Sequence, residues 1–158
     1  MKILFTDKNG SLSIVVPSQS YLNLLMRDEK YNLTKEEAME FIIRKDVPTG
    51  SKNVRIIKDN EIPSDGLFRN AWEDTGKAVK VNIEKAREIS HHLRRESRRT
   101  EFKPYDDVIS KQIPGVGTGG AEKARVIIRK KYDKMQDNID NAKDDVALRT
   151  VLKKGGVI

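Results

Sequence analysis

The chain has 158 residues, which fits one domain or one domain with a helical extension. It has no cysteine, which excludes disulfides, thiolate metal sites and cysteine nucleophiles. Apolar residues make up 37% and charged residues 35%, so the core is modest, a composition suited to long helices with one buried stripe.

The formal charge of +7 is unevenly placed. Residues 1–81 hold thirteen Lys/Arg against twelve Asp/Glu, and residues 82–158 hold eighteen against twelve. The basic half points to an anionic partner, namely nucleic acid, an acidic protein surface or lipid headgroups; it also fits a solvated, charge-rich helical surface. No apolar run approaches the ~20 residues of a membrane-spanning helix. The start, MKILFTDKNG, lacks the apolar core and small-residue cleavage site of a signal peptide.

Lys2–Thr6 and Leu12–Val16 read as a β-hairpin joined at Asp7–Gly10, where Asn9-Gly10 favours a tight turn with positive φ angles. Ser18–Met26 reads as a short helix or an irregular segment. Thr34–Lys45 is a firmer helix, because Thr34 and Glu37 have capping-box spacing and Ala38, Met39, Phe41, Ile42 and Ile43 supply an apolar face. Val54–Ile57 and Ala78–Val81 read as strands, with a turn at Gly76.

From Asn82 onward nearly everything is helical. Asn82 caps a helix to about Arg99, with Ile83, Ala86, Ile89 and Leu93 as a narrow inner stripe. Pro104 is expected to separate a second helix, Tyr105–Gln112. Pro114–Gly120 is a glycine-rich loop. A third helix, Ala121–Ile139, has Val126, Ile127, Met135 and Ile139 on its inner face, with Tyr132 beside them. Val146–Leu152 adds a last turn or two, and Gly155-Gly156 is expected to be loose. The predicted fold is therefore α+β: a small N-terminal antiparallel sheet with one helix, residues 1–81, then a long helical hairpin, residues 82–158. The hairpin's narrow stripe predicts that it packs on the sheet, a second copy or a partner.

The segment Glu61–Glu73, EIPSDGLFRNAWE, holds the only tryptophan. Ile62-Pro63 is extended and Ser64-Asp65-Gly66 is turn chemistry. On a helix, Phe68 and Trp72 would share one face, as would Arg69 and Glu73. The segment reads either as an aromatic staple between the two halves or as a partner-binding hot spot of Phe68, Arg69 and Trp72.

EIPSDGLFRNAWE also resembles the signature IP-(S/A/T)-D-R-T-F-R-(D/N)-A-W-E of a family of small tailed-bacteriophage and prophage proteins. The likeness extends to the hairpin, to Asp46-Val47-Pro48 and to Val81–Ile89. It takes in Asp107-Val108-Ile109 and the closing helices more loosely. Gly66-Leu67 stands where the signature has Arg-Thr. The resemblance implies a phage origin, a setting among structural or tail genes, and a virion-associated assembly role in the particle or host cytoplasm. The partners it implies are other phage structural proteins and further copies of the chain.

The alternative reading is nonspecific DNA binding. Ile113–Ala121 resembles the turn of helix-hairpin-helix modules, in which glycines such as Gly115 and Gly117 present backbone N–H groups to a phosphate. Lys123, Arg125, Arg129, Lys130 and Lys131 follow it, and Arg94, Arg95, Arg98 and Arg99 precede it. Ala124 stands where that motif prefers a large aliphatic residue, so a plain glycine linker fits as well. Gly115, Gly117 and Gly120 match G-x-G-x-x-G, but no strand precedes them. His91-His92 point to different helix faces amid arginines, so no metal site is expected. Asp133, Asp137, Asp140, Asp144 and Asp145 read as a solvated face or as partners for the arginine-rich helix. No catalytic constellation or cofactor motif emerges, so the sequence predicts a binding protein rather than an enzyme.

Overall fold

The computed structural model describes residues 1–111 and 117–158. It has the expected α+β architecture, with antiparallel sheets and short helices first and a helical hairpin after them. The chain forms two compact units, Met1–Val81 and Asn82–Ile158.

In the first unit, β1 (Lys2–Thr6) is the central strand between β2 (Leu12–Val15) and β3 (Lys52–Ile57), antiparallel to both. The β1–β2 connection differs from the expected tight turn. Only Gly10 has positive φ, at 80°, and the three-residue loop 8–10 is closed by Asp7 N–H to the Ser11 carbonyl at 2.9 Å. This is a type I turn ending in a left-handed glycine. The Asp7 carboxylate accepts from the N–H groups of Asn9 and Ser11, both at 2.8 Å, which favours this turn over the two-residue one. The β1–β3 register slips by one residue between Leu4 and Thr6. Asn53 takes up the extra residue with φ 53°, a conformation asparagine tolerates.

Successive residues of β1 serve opposite faces of the sheet. Ile3 packs with Leu22 and Leu25 of α1 (Gln19–Arg27) and with Ala38, Met39 and Ile42 of α2 (Lys35–Asp46). Leu4 packs on the other face with Ile57, Val79 and Trp72. A central strand covered on both sides must be continuously apolar, as Ile3-Leu4-Phe5 is. Ser18 settles the weak segment as a helix: its Oγ accepts from Tyr21 N–H at 3.2 Å. The expected capping box of α2 is present, with Glu37 N–H to Thr34 Oγ1 and Thr34 N–H to Glu37 Oε2.

A second, two-stranded sheet pairs β4 (Trp72–Asp74) with β5 (Val79–Val81) through the Gly76 turn. The Asp74 carboxylate ties this hairpin to β3 through the Arg55 guanidinium at 2.6 Å. That hydrogen bond, and then the Gly76 N–H, hold the Asp74 carboxyl below its ordinary range against the effect of burial. A depressed carboxylate stabilises the fold above its unfolded pKa, and the contribution is lost as pH falls through the folded value. Asp74→Ala is expected to cost on the order of 2 kcal/mol at neutral pH. It should cost less in acid, as read by urea titrations of Trp72 fluorescence.

The second unit is built on α3 (Ile83–Lys111) and α4 (Gly119–Asp140), an antiparallel pair, with α5 (Asp145–Lys154) packed on both. Asn82 caps α3 by accepting from Lys85 N–H at 3.0 Å. Pro104 does not break this helix, contrary to expectation. It lies exposed, where water can meet the Thr100 carbonyl that loses its donor.

The inner faces also differ from the expected stripes. On α3 the buried residues are Ala86, Ser90 and Arg94, with Ile83, Ile89 and Leu93 only half-buried. On α4 they are Ala121, Ile128, Tyr132, Met135 and Ile139, while Val126 and Ile127 point outward, Ile127 at 68% exposure. Tyr132 explains the shift. Its buried hydroxyl needs a polar partner, and Ser97 of α3 provides one at 2.8 Å, while Arg94 of α3 donates to its main-chain carbonyl. Leu148 and Leu152 of α5 supply the apolar cover that two helices alone lack.

The chain's end is tied down rather than loose. Val157 N–H bonds the Leu152 carbonyl and Gly156 N–H the Lys153 carbonyl, both at 3.0 Å, with Gly156 at φ 69°. These are the two bonds of a Schellman cap, which needs a left-handed residue at that position.

Candidate functional sites

The aromatic segment is part of the first unit's core. A single 3-10 turn over Arg69–Ala71 separates Phe68 from Trp72, which begins β4, so the two do not share a helical face as expected. Phe68 is 2% exposed and Ala71 is fully buried. Trp72 packs on the Leu4–Ile57–Val79 cluster. Arg69 alone among the three hot-spot candidates is exposed, at the rim of a shallow depression of about 420 Å³ with Pro63, Ser64 and Gly66. A Cβ added at position 66 would meet open space.

The basic residues of the second unit separate into groups. Arg95, Arg98 and Arg99 of α3 and Arg125 and Arg129 of α4 line one open groove of about 350 Å³, with Phe102 and Asp106. The groove forms because α3 presents arginines three and four residues apart and α4 presents two that are four apart. Phe102, which the sequence reading did not single out, is a helical turn beyond Arg98 and stacks with Arg98 at 5.3 Å and Arg125 at 5.7 Å. The four-residue spacing of Arg98 and Phe102 was the available signal.

Arg94 does not join the groove. It is 6% exposed and donates to the Tyr132 main-chain carbonyl at 3.2 Å. Burial lowers its pKa, and the neighbouring Arg98 and Arg95 lower it further, against Asp133 and Asp140. Lys131 turns to Glu101 at 2.7 Å, and Tyr132 Oη donates to the same carboxylate at 2.8 Å. The Lys131 hydrogen bond holds the Glu101 carboxyl below its usual range. Lys123 and Lys130 are exposed and outside the groove, as is Gly117, while Gly115 lies outside the described residues. The helix before the glycine-rich loop has 29 residues, longer than the short segment expected there.

His91 is more than a surface residue, since its Nε2 lies 2.9 Å from Asp140 Oδ1. Arg87 clamps the end of α4, donating to the carbonyls of Ile139 and Ala142 at 3.4 and 3.1 Å. A guanidinium is well placed where a helix leaves its last carbonyls without donors. Among the described residues, no three His, Cys, Asp or Glu side chains come together to hold a metal. Nor is any described helix long and apolar enough to cross a membrane.

A wider groove of about 870 Å³ runs between α4 and α5. Met135, Ala142, Ala147 and Val151 form its apolar floor, and Lys134, Lys143 and Lys154 stand around it. Asp144 is its only carboxylate, and it is occupied as the α5 cap, accepting from Ala147 N–H at 2.7 Å. Gly155 closes one end, where a Cβ would overlap the terminal methyl of Met135. Sequence reading missed this groove because it depends on α5 folding back on α4. Compared with known protein families, curated proteins and solved structures, the chain matches none.

Proposed function

We propose that this chain is a binding protein of tailed-phage virion assembly, a tail or head–tail component that works through protein–protein contacts. The observation that carries the binding role is the α4–α5 groove: an apolar floor within a lysine rim. Lys134, Lys143 and Lys154 make no ion pair among the described residues, so an apolar ridge flanked by Asp or Glu is the complementary partner surface. Val126 and Ile127, exposed on α4, add apolar contact area. The phage setting rests on the resemblance of Glu61–Glu73, and a homo-oligomer is part of the same reading.

The protein is expected in mass spectra of purified virions or of their assembly intermediates. Lys143→Glu with Lys154→Glu should cut its particle-associated copy number by about tenfold, the effect of roughly 1.4 kcal/mol at a contact. A protein absent from particles and intermediates, and monomeric by light scattering, overturns the proposal.

A further inference from the structure

We infer that the α3–α4 groove is a second, separate site, one that binds the phosphodiester backbone of duplex nucleic acid. Five arginines from two helices converge there, and Asp106 is the only carboxylate in its lining. The nearby acids are already engaged. Arg125 meets Asp106 and Glu122, both at 3.2 Å, and Arg99 meets Glu96 at 2.7 Å. Arg95 and Arg129 make no ion pair among the described residues, and the recorded contact of Arg98 is its stacking on Phe102. A cluster that served only to hold the two helices together would consume its charges in pairs. This one leaves three guanidiniums with donors to spare.

The residue type narrows the ligand. A guanidinium fork matches two phosphate oxygens at once and loses little freedom when already oriented. Phe102 supplies that orientation for Arg98 and Arg125. Burial lowers the pKa of neighbouring Arg94, and Arg98 and Arg95 lower it further against Asp133 and Asp140. Among its described residues the lining contains no Asn or Gln, the side chains that pair with adenine edges. Phosphate contacts made by these arginines carry no sequence information directly.

The test is anisotropy of a short labelled DNA duplex with the full chain at about 50 mM salt, repeated at rising salt. Arg95→Glu with Arg129→Glu is expected to weaken binding at least tenfold and to lower the salt slope by about 2. Neither side chain has a hydrogen bond among the described residues, and helical circular dichroism checks that the unit is intact. The control, Lys77→Glu with Lys80→Glu, makes the same charge change on exposed residues of the first unit and should alter affinity less than about threefold. The site is overturned if the wild type does not bind the duplex, if both double variants lose affinity equally, or if the chain binds anionic vesicles and not the duplex. None of these outcomes depends on whether the chain enters virions.

Discussion

Tyr132→Ala is expected to remove a large part of the stability of the Asn82–Ile158 unit and to lower its urea midpoint accordingly. Tyr132 is fully buried, and it is the largest side chain in the interior of that unit. Its partners on α3 are Ser97, at the hydroxyl, and Arg94, at the main-chain carbonyl, and neither replaces the volume of the ring. Emptying such a site costs about 3–5 kcal/mol, against a total stability of about 5–15 kcal/mol. Tyr132→Phe separates packing from hydrogen bonding. It keeps the ring and removes the hydroxyl shared with Ser97 at 2.8 Å and Glu101 at 2.8 Å, a loss of about 1 kcal/mol. Urea titration followed at 222 nm reads both. Equal losses for the two variants would show that the network, not the ring, holds the hairpin.

Phe68→Ala should have an effect of similar size on the Met1–Val81 unit. At 2% exposure its ring is core, and truncation costs about 3–5 kcal/mol. Trp72 is the chain's only tryptophan and lies in this unit, so its emission reports the loss directly. Arg69→Ala, one residue away and exposed, should leave stability within about 0.5 kcal/mol of wild type. The contrast separates the two readings of the aromatic segment. A hot spot would lose partner binding with its fold intact on truncation of Phe68, whereas a core residue loses the fold. If Phe68→Ala keeps the wild-type Trp72 emission and urea midpoint, the buried position is wrong.

The resemblance to the phage signature takes on a different meaning in this light. Its Phe and Trp stand at Phe68 and Trp72, inside the first unit, so their roles are in packing. The exposed positions of the segment are 64, 66, 69, 70 and 73. Position 66, where the signature has Arg and this chain has Gly, is on that exposed set.

Local chemistry was legible in advance where a side chain caps a helix or a strand is apolar on both faces. Thr34 and Glu37 start α2, Asn82 starts α3, and Ile3-Leu4-Phe5 reads as a strand because it is one with both faces covered. The sequence by itself therefore determined the β1–β2 hairpin, α2, β3, β5, the start of α3 and the concentration of charge in residues 82–158, but not β4 or the continuity of α3 through Pro104. It could not determine which helix faces turn inward. Val126 and Ile127 have the apolar character of an inner face, yet Tyr132 sets the rotation of α4, because a buried hydroxyl must meet Ser97 and Glu101. β4 is three residues long and exists only because β5 pairs with it. The arginines of the α3–α4 groove were candidates in the sequence, but neither groove's shape was legible there. Arg95 and Arg129, or Met135 and Gly155, are far apart along the chain and become neighbours only when α3, α4 and α5 pack. Helix-period patterning records how apolar each position is, and the tertiary contacts decided which of those positions met one another.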